Sequence, residues 1–395
     1  MKAVTLAATS LLLLHTFALC SKKGYICRAN GIKGLCKGVR SCPSIFKQRI
    51  KPSICSFEDE VVVCCADRAT RHQLRWMNLL MSSRVVKSDQ CEPIPANMTV
   101  SKTGNIALDK CLEYQEKLVL PCEESSETGK MARENHCNWK PEKLIINGEK
   151  ANSGEYAHMV RLGYGEDESL KWISSGWLIS DRFVVTSAHC TIKAWKGPVR
   201  KIMIAIESDM SQKSSRIYNV WKSHVHPKYQ SPFKLHDIAL LETEKPMLLD
   251  RSAVPACLPT GGIDDHEVEI AGWGITSARS RVMSNDLQKV TLTKFTDEEC
   301  RAKLKRVRLL PGGYDPSTQV CYGDRKTPKD TCSGDSGGPV VVRHPDVYCM
   351  YSVVGVISFG RKCGVANEPG VYTRVEPYVP WIVSKVWPGN HPSEL

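Results

Sequence analysis

Three short stretches of this 395-residue chain hold side chains whose types suit nucleophilic chemistry. Thr186-Ser187-Ala188-His189-Cys190 puts a histidine at the end of an apolar strand. His236-Asp237-Ile238-Ala239-Leu240-Leu241 puts an aspartate at the start of another. Gly334-Asp335-Ser336-Gly337-Gly338-Pro339 puts a serine in a glycine-rich loop, where backbone N–H groups can point at one spot. A serine hydroxyl is a weak nucleophile until an imidazole takes its proton and a third group orients that imidazole. Singly, each stretch also reads as ordinary structure: a histidine beside a strand, a turn rich in glycine. Taken together, in the order His, Asp, Ser, they form one constellation.

The elements around them are β-strands. Short apolar runs at Phe183–Thr186, Ile202–Ile206, Ile238–Leu241, Val268–Ala271, Val340–Val342 and Val353–Ile357 are separated by Gly, Pro, Asn and Asp. That pattern predicts an all-β barrel or sandwich. One amphipathic helix closes the chain, with Val379, Ile382, Val383 and Val386 on one face.

Ahead of this segment the chain changes character. Met1–Lys2 is basic, Ala3 to Leu19 is apolar or small, and Ala18-Leu19-Cys20 suits signal peptidase. Residues 1–20 therefore read as a secretory signal peptide. No stretch reaches the 18 or so apolar residues that a membrane span needs. The chain has 18 cysteines, which favours an oxidising, extracellular compartment. Removing Cys20 leaves an odd number, so at least one thiol is free or pairs with another chain.

Cys27, Cys36, Cys42, Cys55, Cys64 and Cys65 crowd into residues 21–65. So short a segment buries too little apolar surface to fold without staples. A zinc site is the rival reading, but paired C-x-x-C spacing is missing. Spacing alone does not choose the pairing. The segment carries nine Lys/Arg against Glu58, Asp59 and Glu60, half of the chain's net charge of +12. That charge suits an acidic protein or a polyanion, or is simply solvated. Nucleic acid is not expected, since no recognition motif is present. Residues 66–144 read as a linker, with Asp109 to Leu118 as one or two helical turns and Glu123 to Gly129 as a loop. Cys91, Cys111, Cys122 and Cys137 are expected to tie it down. Asn97-Met98-Thr99 is a glycosylation acceptor.

Residues 145–395 resemble the chymotrypsin-fold serine proteases. The resemblance implies two six-stranded antiparallel β-barrels with a C-terminal helix. It implies that Ser336 attacks the scissile carbonyl, His189 moves its proton, and Asp237 orients the imidazole. The backbone N–H groups of Gly334 and Ser336 would form the oxyanion hole. Ser358, in Ser358-Phe359-Gly360, matches the strand that binds substrate backbone. Asp330, six residues before Ser336, matches the carboxylate of trypsin-like pockets, with Gly360 and Gly370 as small wall residues. Cleavage after Arg or Lys is the expectation.

Ile145-Ile146-Asn147-Gly148 resembles a zymogen activation sequence. Its register implies a cut after Leu144, with Lys143 the runner-up, and an activating protease that prefers Leu. The new Ile145 terminus would pair with Asp335 and order the pocket. The six-cysteine module, with Lys110-Cys111-Leu112-Glu113-Tyr114 and Tyr348-Cys349-Met350-Tyr351, further resembles the Snake-like clip-domain serine proteases of arthropods. That family implies extracellular cascades such as Toll signalling, melanisation or clotting. The implied partners are an upstream activating protease, a downstream protease zymogen, a serpin-type inhibitor, and a protein or polyanion docked by the clip module. The implied pairs are Cys27–Cys64, Cys36–Cys55, Cys42–Cys65, Cys300–Cys321, Cys332–Cys363 and Cys137–Cys257, with Cys111–Cys349 a further pairing. No cofactor and no metal site are expected.

The sequence departs from the family at one place. Ser174 stands where the partner of Cys190 is expected, Ser175 replaces a glycine, and Trp177 replaces a small residue. Weaker or more selective catalysis would follow. A catalytically silent clip-domain regulator is the alternative function. Two basic stretches, Arg301 to Arg308 and Arg279-Ser280-Arg281, read as solvated loops or as exosites.

Overall fold

The computed structural model describes residues 26–29, 32–42, 54–57, 61–65, 91–125, 129–139 and 149–389, apart from 194–195, 205–214, 276–281, 306, 329–330, 332–333 and 361–362. The chain divides into two compact units, Met1–Asp89 and Gln90–Leu395. The signal peptide, Leu144, Ile145, Asp330, Cys332, Arg279 and Arg281 lie outside the described residues.

The first unit is a four-stranded antiparallel sheet of β1 (Ile26–Ala29), β2 (Ile32–Gly38), β3 (Ile54–Phe57) and β4 (Val61–Cys65), in the order β1-β2-β4-β3. Disulfides Cys27–Cys64 and Cys42–Cys65 hold it, as the family resemblance implied. Cys36 is also disulfide-bonded, while the side chain of Cys55 lies outside the described residues. Its apolar core is little more than those cystines with Val62 and Val63, so the cross-links carry much of its stability.

The second unit opens with a segment that packs on the barrels that follow. A helix over Ile106–Tyr114, capped by the Asn105 side chain, runs into a wide turn over Gln115–Val119. A hairpin of β5 (Cys122–Glu124) and β6 (Met131–Arg133) follows. The helical stretch is longer than its weak periodicity predicted. Cys111, Leu112, Val119 and Leu120 are buried against Cys257, Val347 and Met350.

Two barrels make up the rest. β7 (Glu149–Lys150) adds to the second of them. The first is built from β8 (Met159–Tyr164), β9 (Lys171–Leu178), β10 (Phe183–Thr186), β11 (Ile192–Lys193), β12 (Gly197–Ile204), β13 (Arg216–Val225) and β14 (Ala239–Thr243). Pairing of β12 with β8 closes six of these strands, leaving β11 at the edge. The second is built from β15 (Glu267–Gly272), β16 (Gln288–Lys294), β17 (Gln319–Gly323), β18 (Pro339–Arg343), β19 (Tyr351–Phe359) and β20 (Gly370–Arg374). Pairing of β15 with β16 closes it. The two six-stranded antiparallel barrels are thus borne out.

Each barrel is filled by its own inward side chains, Val160, Leu162, Leu178 and Ile202 in one, Val268, Ile270, Tyr322 and Tyr372 in the other. A third core joins them, with Trp177, Ile238, Leu240, Trp273 and Val353. Ile382, Val383 and Val386 of the closing helix, Val379–Val386, pack into it as the periodicity predicts. Trp177 is therefore fully buried at the seam of the barrels.

The pairing of the remaining cysteines corrects the expectation. Cys111 joins Cys257 and Cys137 joins Cys349, in place of Cys137–Cys257 and Cys111–Cys349. The reason is the helix: it sinks Cys111 into the apolar patch that holds Cys257, while Trp139, two residues after Cys137, packs at a tilt against Tyr348. Cys91 pairs with Cys122, and Cys300 with Cys321 as expected. Cys363 is disulfide-bonded. Cys190 is a buried free thiol. Among the described residues no helix is long and apolar enough to cross a membrane.

Candidate active site

Adjacent strands bring the first two members together. β10 and β14 pair with Thr186 opposite Ala239. His189 sits in a tight turn just past the end of β10, and Asp237 sits just before β14. His236 takes a left-handed conformation, φ 54°. Such a φ is unusual for a side chain larger than glycine. A hydrogen bond of 2.8 Å between His236 Nδ1 and the Tyr378 hydroxyl secures it.

Asp237 is fully buried. Its Oδ1 accepts the His189 backbone N–H at 2.8 Å, and its Oδ2 lies 2.8 Å from His189 Nδ1. Ser358 Oγ donates to Oδ2 at 2.5 Å, and Thr373 Oγ1 to the Asp237 carbonyl at 3.1 Å. Lys234 Nζ stands 3.7 Å from Oδ2. Burial alone would raise the carboxyl; His189, Lys234 and Ser358 more than offset it and hold Asp237 below its ordinary value. Burial alone would lower His189; Cys190 and Asp237 carry it above its ordinary value. The imidazole thus has the partner that fixes the Nδ1–H tautomer.

Ser336 lies on the turn 334–337 ahead of β18. Gly334 and Gly337 have φ of 107° and 82°, which a residue with a Cβ rarely adopts. A Cβ on Gly337 would collide with the Thr186 hydroxyl and the Ser175 carbonyl. The turn is pinned from β9: Ser175 N–H donates to the Ser336 carbonyl at 3.0 Å, and Ser175 Oγ to the Gly334 carbonyl at 3.2 Å. It is pinned from β19 as well, since Gly337 N–H donates to the Ile357 carbonyl at 2.9 Å. The departure at Ser175 therefore adds a bond to the loop. Asp335 is buried, and its Oδ1 accepts the Gly274 N–H at 2.7 Å. Gly272 and Gly274 leave room for that carboxylate alone; a Cβ on either would collide with it.

The structure brings His189, Asp237, Ser358, Gly334, Asp335 and Ser336 to the junction of the two barrels. No hydrogen bond joins Ser336 to His189 among the described residues. Instead His189 Nε2 lies 3.6 Å from Cys190 Sγ. A Cβ on Gly360 would stand 4.0 Å from the Gly370 Cα, so these two expected wall residues face each other. Asn97 lies in an exposed turn, as a glycan acceptor must. The basic stretch read as a loop begins on a helix, Asp297–Lys303, opened by a capping box of Thr296 and Glu299. His224 pairs with Glu242 at 3.0 Å, and His226 packs edge-on to Tyr378 and Trp381. Sequence reasoning missed Lys234, the Ser175 clamp and the two glycines around Asp335. Only Ser175 left a trace, as an unexplained replacement.

The family model described as Trypsin matches residues 145–382. The chain belongs to the trypsin family of serine proteases. This trypsin-family chain is 34% identical to Serine protease Hayan of Drosophila melanogaster, over 62% of its own length and 39% of that protein. It thus spans about two-fifths of Hayan. It is 29% identical to Serine protease snk of the same fly, over 91% of its own length and 78% of that protein. It is 34% identical to CLIP domain-containing serine protease C9 of Anopheles gambiae, over 61% of its own length and 68% of that protein. Within the trypsin family it belongs with the clip-domain serine proteases of insects.

Proposed function

We propose that the chain is the secreted zymogen of a trypsin-like serine endopeptidase. Cleavage after Leu144 by a protease with a Leu preference activates it. It then cleaves after Arg or Lys in the next protease zymogen of an extracellular immune, melanisation or Toll-type cascade. A serpin-type inhibitor ends its activity, and the clip module docks a protein or polyanion.

The observation that carries this reading is the fully buried Asp237. It takes the backbone N–H and Nδ1 of His189 on its two oxygens, at 2.8 Å each, at the junction that also holds Ser336. In the mechanism, Ser336 Oγ attacks the carbonyl carbon while its proton passes to His189 Nε2. The imidazolium that forms is stabilised by Asp237, and it returns the proton to the leaving amine. Gly334 and Ser336 N–H groups receive the oxyanion, which typically contributes about 100–1,000-fold per donor. Ser358 binds substrate backbone. Asp330 selects the basic side chain between Gly360 and Gly370, because a buried carboxylate left unpaired by an apolar side chain disfavours that substrate. The close approach of Gly272 and Gly274 to the Asp335 carboxylate supports the switch, since it keeps that group buried, as a partner for a new Ile145 ammonium has to be.

The test replaces the residues before Ile145 with an enteropeptidase site. The cut protein is assayed on small Arg, Lys and Phe substrates beside a Ser336→Ala control. Arg or Lys turnover is expected only after cutting, with the control lower by about 10⁴-fold or more. Absence of turnover from a folded protein with a verified Ile145 terminus favours the silent-regulator reading. Turnover of Phe instead removes Asp330 from the pocket.

A further inference from the structure

The His189 ring is gripped from both ends. Nδ1 meets Asp237 Oδ2 at 2.8 Å, and Nε2 faces Cys190 Sγ at 3.6 Å. Two lysines extend the row. Lys193 Nζ lies 3.8 Å from Cys190 Sγ, and Lys234 Nζ lies 3.7 Å from Asp237 Oδ2. Lys193, Cys190, His189, Asp237 and Lys234 thus form one line of contacts. If the thiol is ionised and the imidazole protonated, charge alternates in sign along the whole line. Every buried charge then has an opposite neighbour, the condition under which burial of charge is tolerated.

We propose that Cys190 restrains the catalytic base: its sulfur takes up the contact at His189 Nε2 that Ser336 Oγ must make, and turnover begins when the imidazole leaves it. This deepens the protease reading and rests on it. The proton moves within the pair. The Sγ–H bond breaks, an Nε2–H bond forms, and the electron pair stays on sulfur. The reverse transfer frees Nε2 to accept from Ser336, so no co-reactant is needed.

The surroundings favour the charged form. Burial opposes it, but His189 and Lys193 draw the thiol below its ordinary value, and Cys190 and Asp237 lift the imidazole. Ser174 Oγ is buried beside the thiol and beside the Tyr164 hydroxyl, and its hydroxyl helps hold the thiol down. A buried hydroxyl so placed can donate to a thiolate. The other groups facing the pair are Tyr164, whose hydroxyl bonds the Cys190 carbonyl, Tyr229, and Ser358 on Asp237. Burial pushes both tyrosines up, Tyr229 to about 12, so neither supplies a competing anion.

A protonated His189 cannot take the Ser336 proton. Activity then rises only as the imidazolium loses its proton, and the pair titrates as a unit. The test measures kcat/KM against pH on an Arg substrate for the cut full-length enzyme and for its Cys190→Ser and Cys190→Ala variants. Both variants are expected to move the acid limb to lower pH by about one unit, with a gain of about tenfold near neutrality and little change in KM. Acid limbs that coincide in all three forms, or that move upward in the variants, overturn the proposal. A second measurement needs no variant and no turnover: ultraviolet absorbance of thiolate in the folded, uncut protein. A thiolate signal already present at neutral pH supports the pair. A signal that develops only above about pH 8.5, as for an isolated cysteine, overturns it. Because that titration reads no catalysis, it separates failure of the pair from failure of the protease reading.

Discussion

Asp237 carries more partners than orientation of one imidazole requires. Lys234 is the unusual one, with only 11% of its side chain exposed and a cation 3.7 Å from the oxygen that holds His189. Burial lowers Lys234, against the pull of Asp237 and Cys190. A cation at Oδ2 weakens the hold of the carboxylate on an imidazolium. Lys234→Met therefore strengthens that hold and raises the His189 value. The acid limb of kcat/KM should move up by about half to one pH unit, opposite in sign to Cys190→Ser. A limb that stays put assigns Lys234 to packing alone, and one that moves down reverses the sign argued here. The triad was legible because each member sits in a contiguous motif with a distinct neighbourhood. Lys234 was not, because a lysine three residues before an aspartate is ordinary, and only the turn at His236 brings its ammonium back onto Asp237. The sulfur on Nε2 was legible in part: Ser174 left Cys190 without a partner, but the contact it makes instead depends on side-chain rotamers that spacing does not encode.

Strands announced themselves where both faces are buried. Phe183–Thr186 is β10 to the residue, and Val268–Ala271 and Val340–Val342 fall inside β15 and β18. β13 and β16 gave no such signal, because their residues alternate between half-buried and exposed or are mostly half-buried and polar. The Ile106–Tyr114 helix hid for another reason: it buries a narrow patch, Ala107, Cys111 and Leu112. That helix also decides the cross-links, since its depth, invisible in spacing, puts Cys111 beside Cys257. A non-reducing peptide map should recover the Cys111 peptide joined to the Cys257 peptide, and Cys137 to Cys349. Fragments linking Cys137 to Cys257 would restore the family pairing instead. Both observed bonds join residues before Ile145 to residues after it. The two pieces should therefore stay together on a denaturing gel after activation and part only on reduction.

The two barrels and the segment before them meet around one buried histidine, and this sets how the molecule answers to acid. The His158 carbonyl accepts from Leu178 N–H at 2.8 Å in the first barrel. Its ring lies edge-on to Tyr351 of the second barrel at 5.3 Å, and Trp139 of the preceding segment packs on the same tyrosine. His158 is 3% exposed and its Nε2 has no hydrogen-bond partner among the described residues. Burial pushes it down to about 3, so the folded chain keeps it neutral. The unfolded chain protonates it below about pH 6.5. Between those values the unfolded state binds the extra proton, and stability falls as pH falls, by up to about 1.4 kcal/mol per unit. His344, also lowered by burial, acts in the same direction. Between pH 7 and pH 5 the His158 share is about 2 kcal/mol. Denaturant midpoints at the two pH values should show it, and His158→Phe, which keeps an aromatic ring in the seam and cannot titrate, should lose that share of the dependence. An equal pH slope in the variant would move the acid sensitivity away from the seam. A seam that loosens first on acidification would also release the core shared by Trp177 and Ile238. Since Ile238 adjoins Asp237, activity should then fail together with the fold rather than before it.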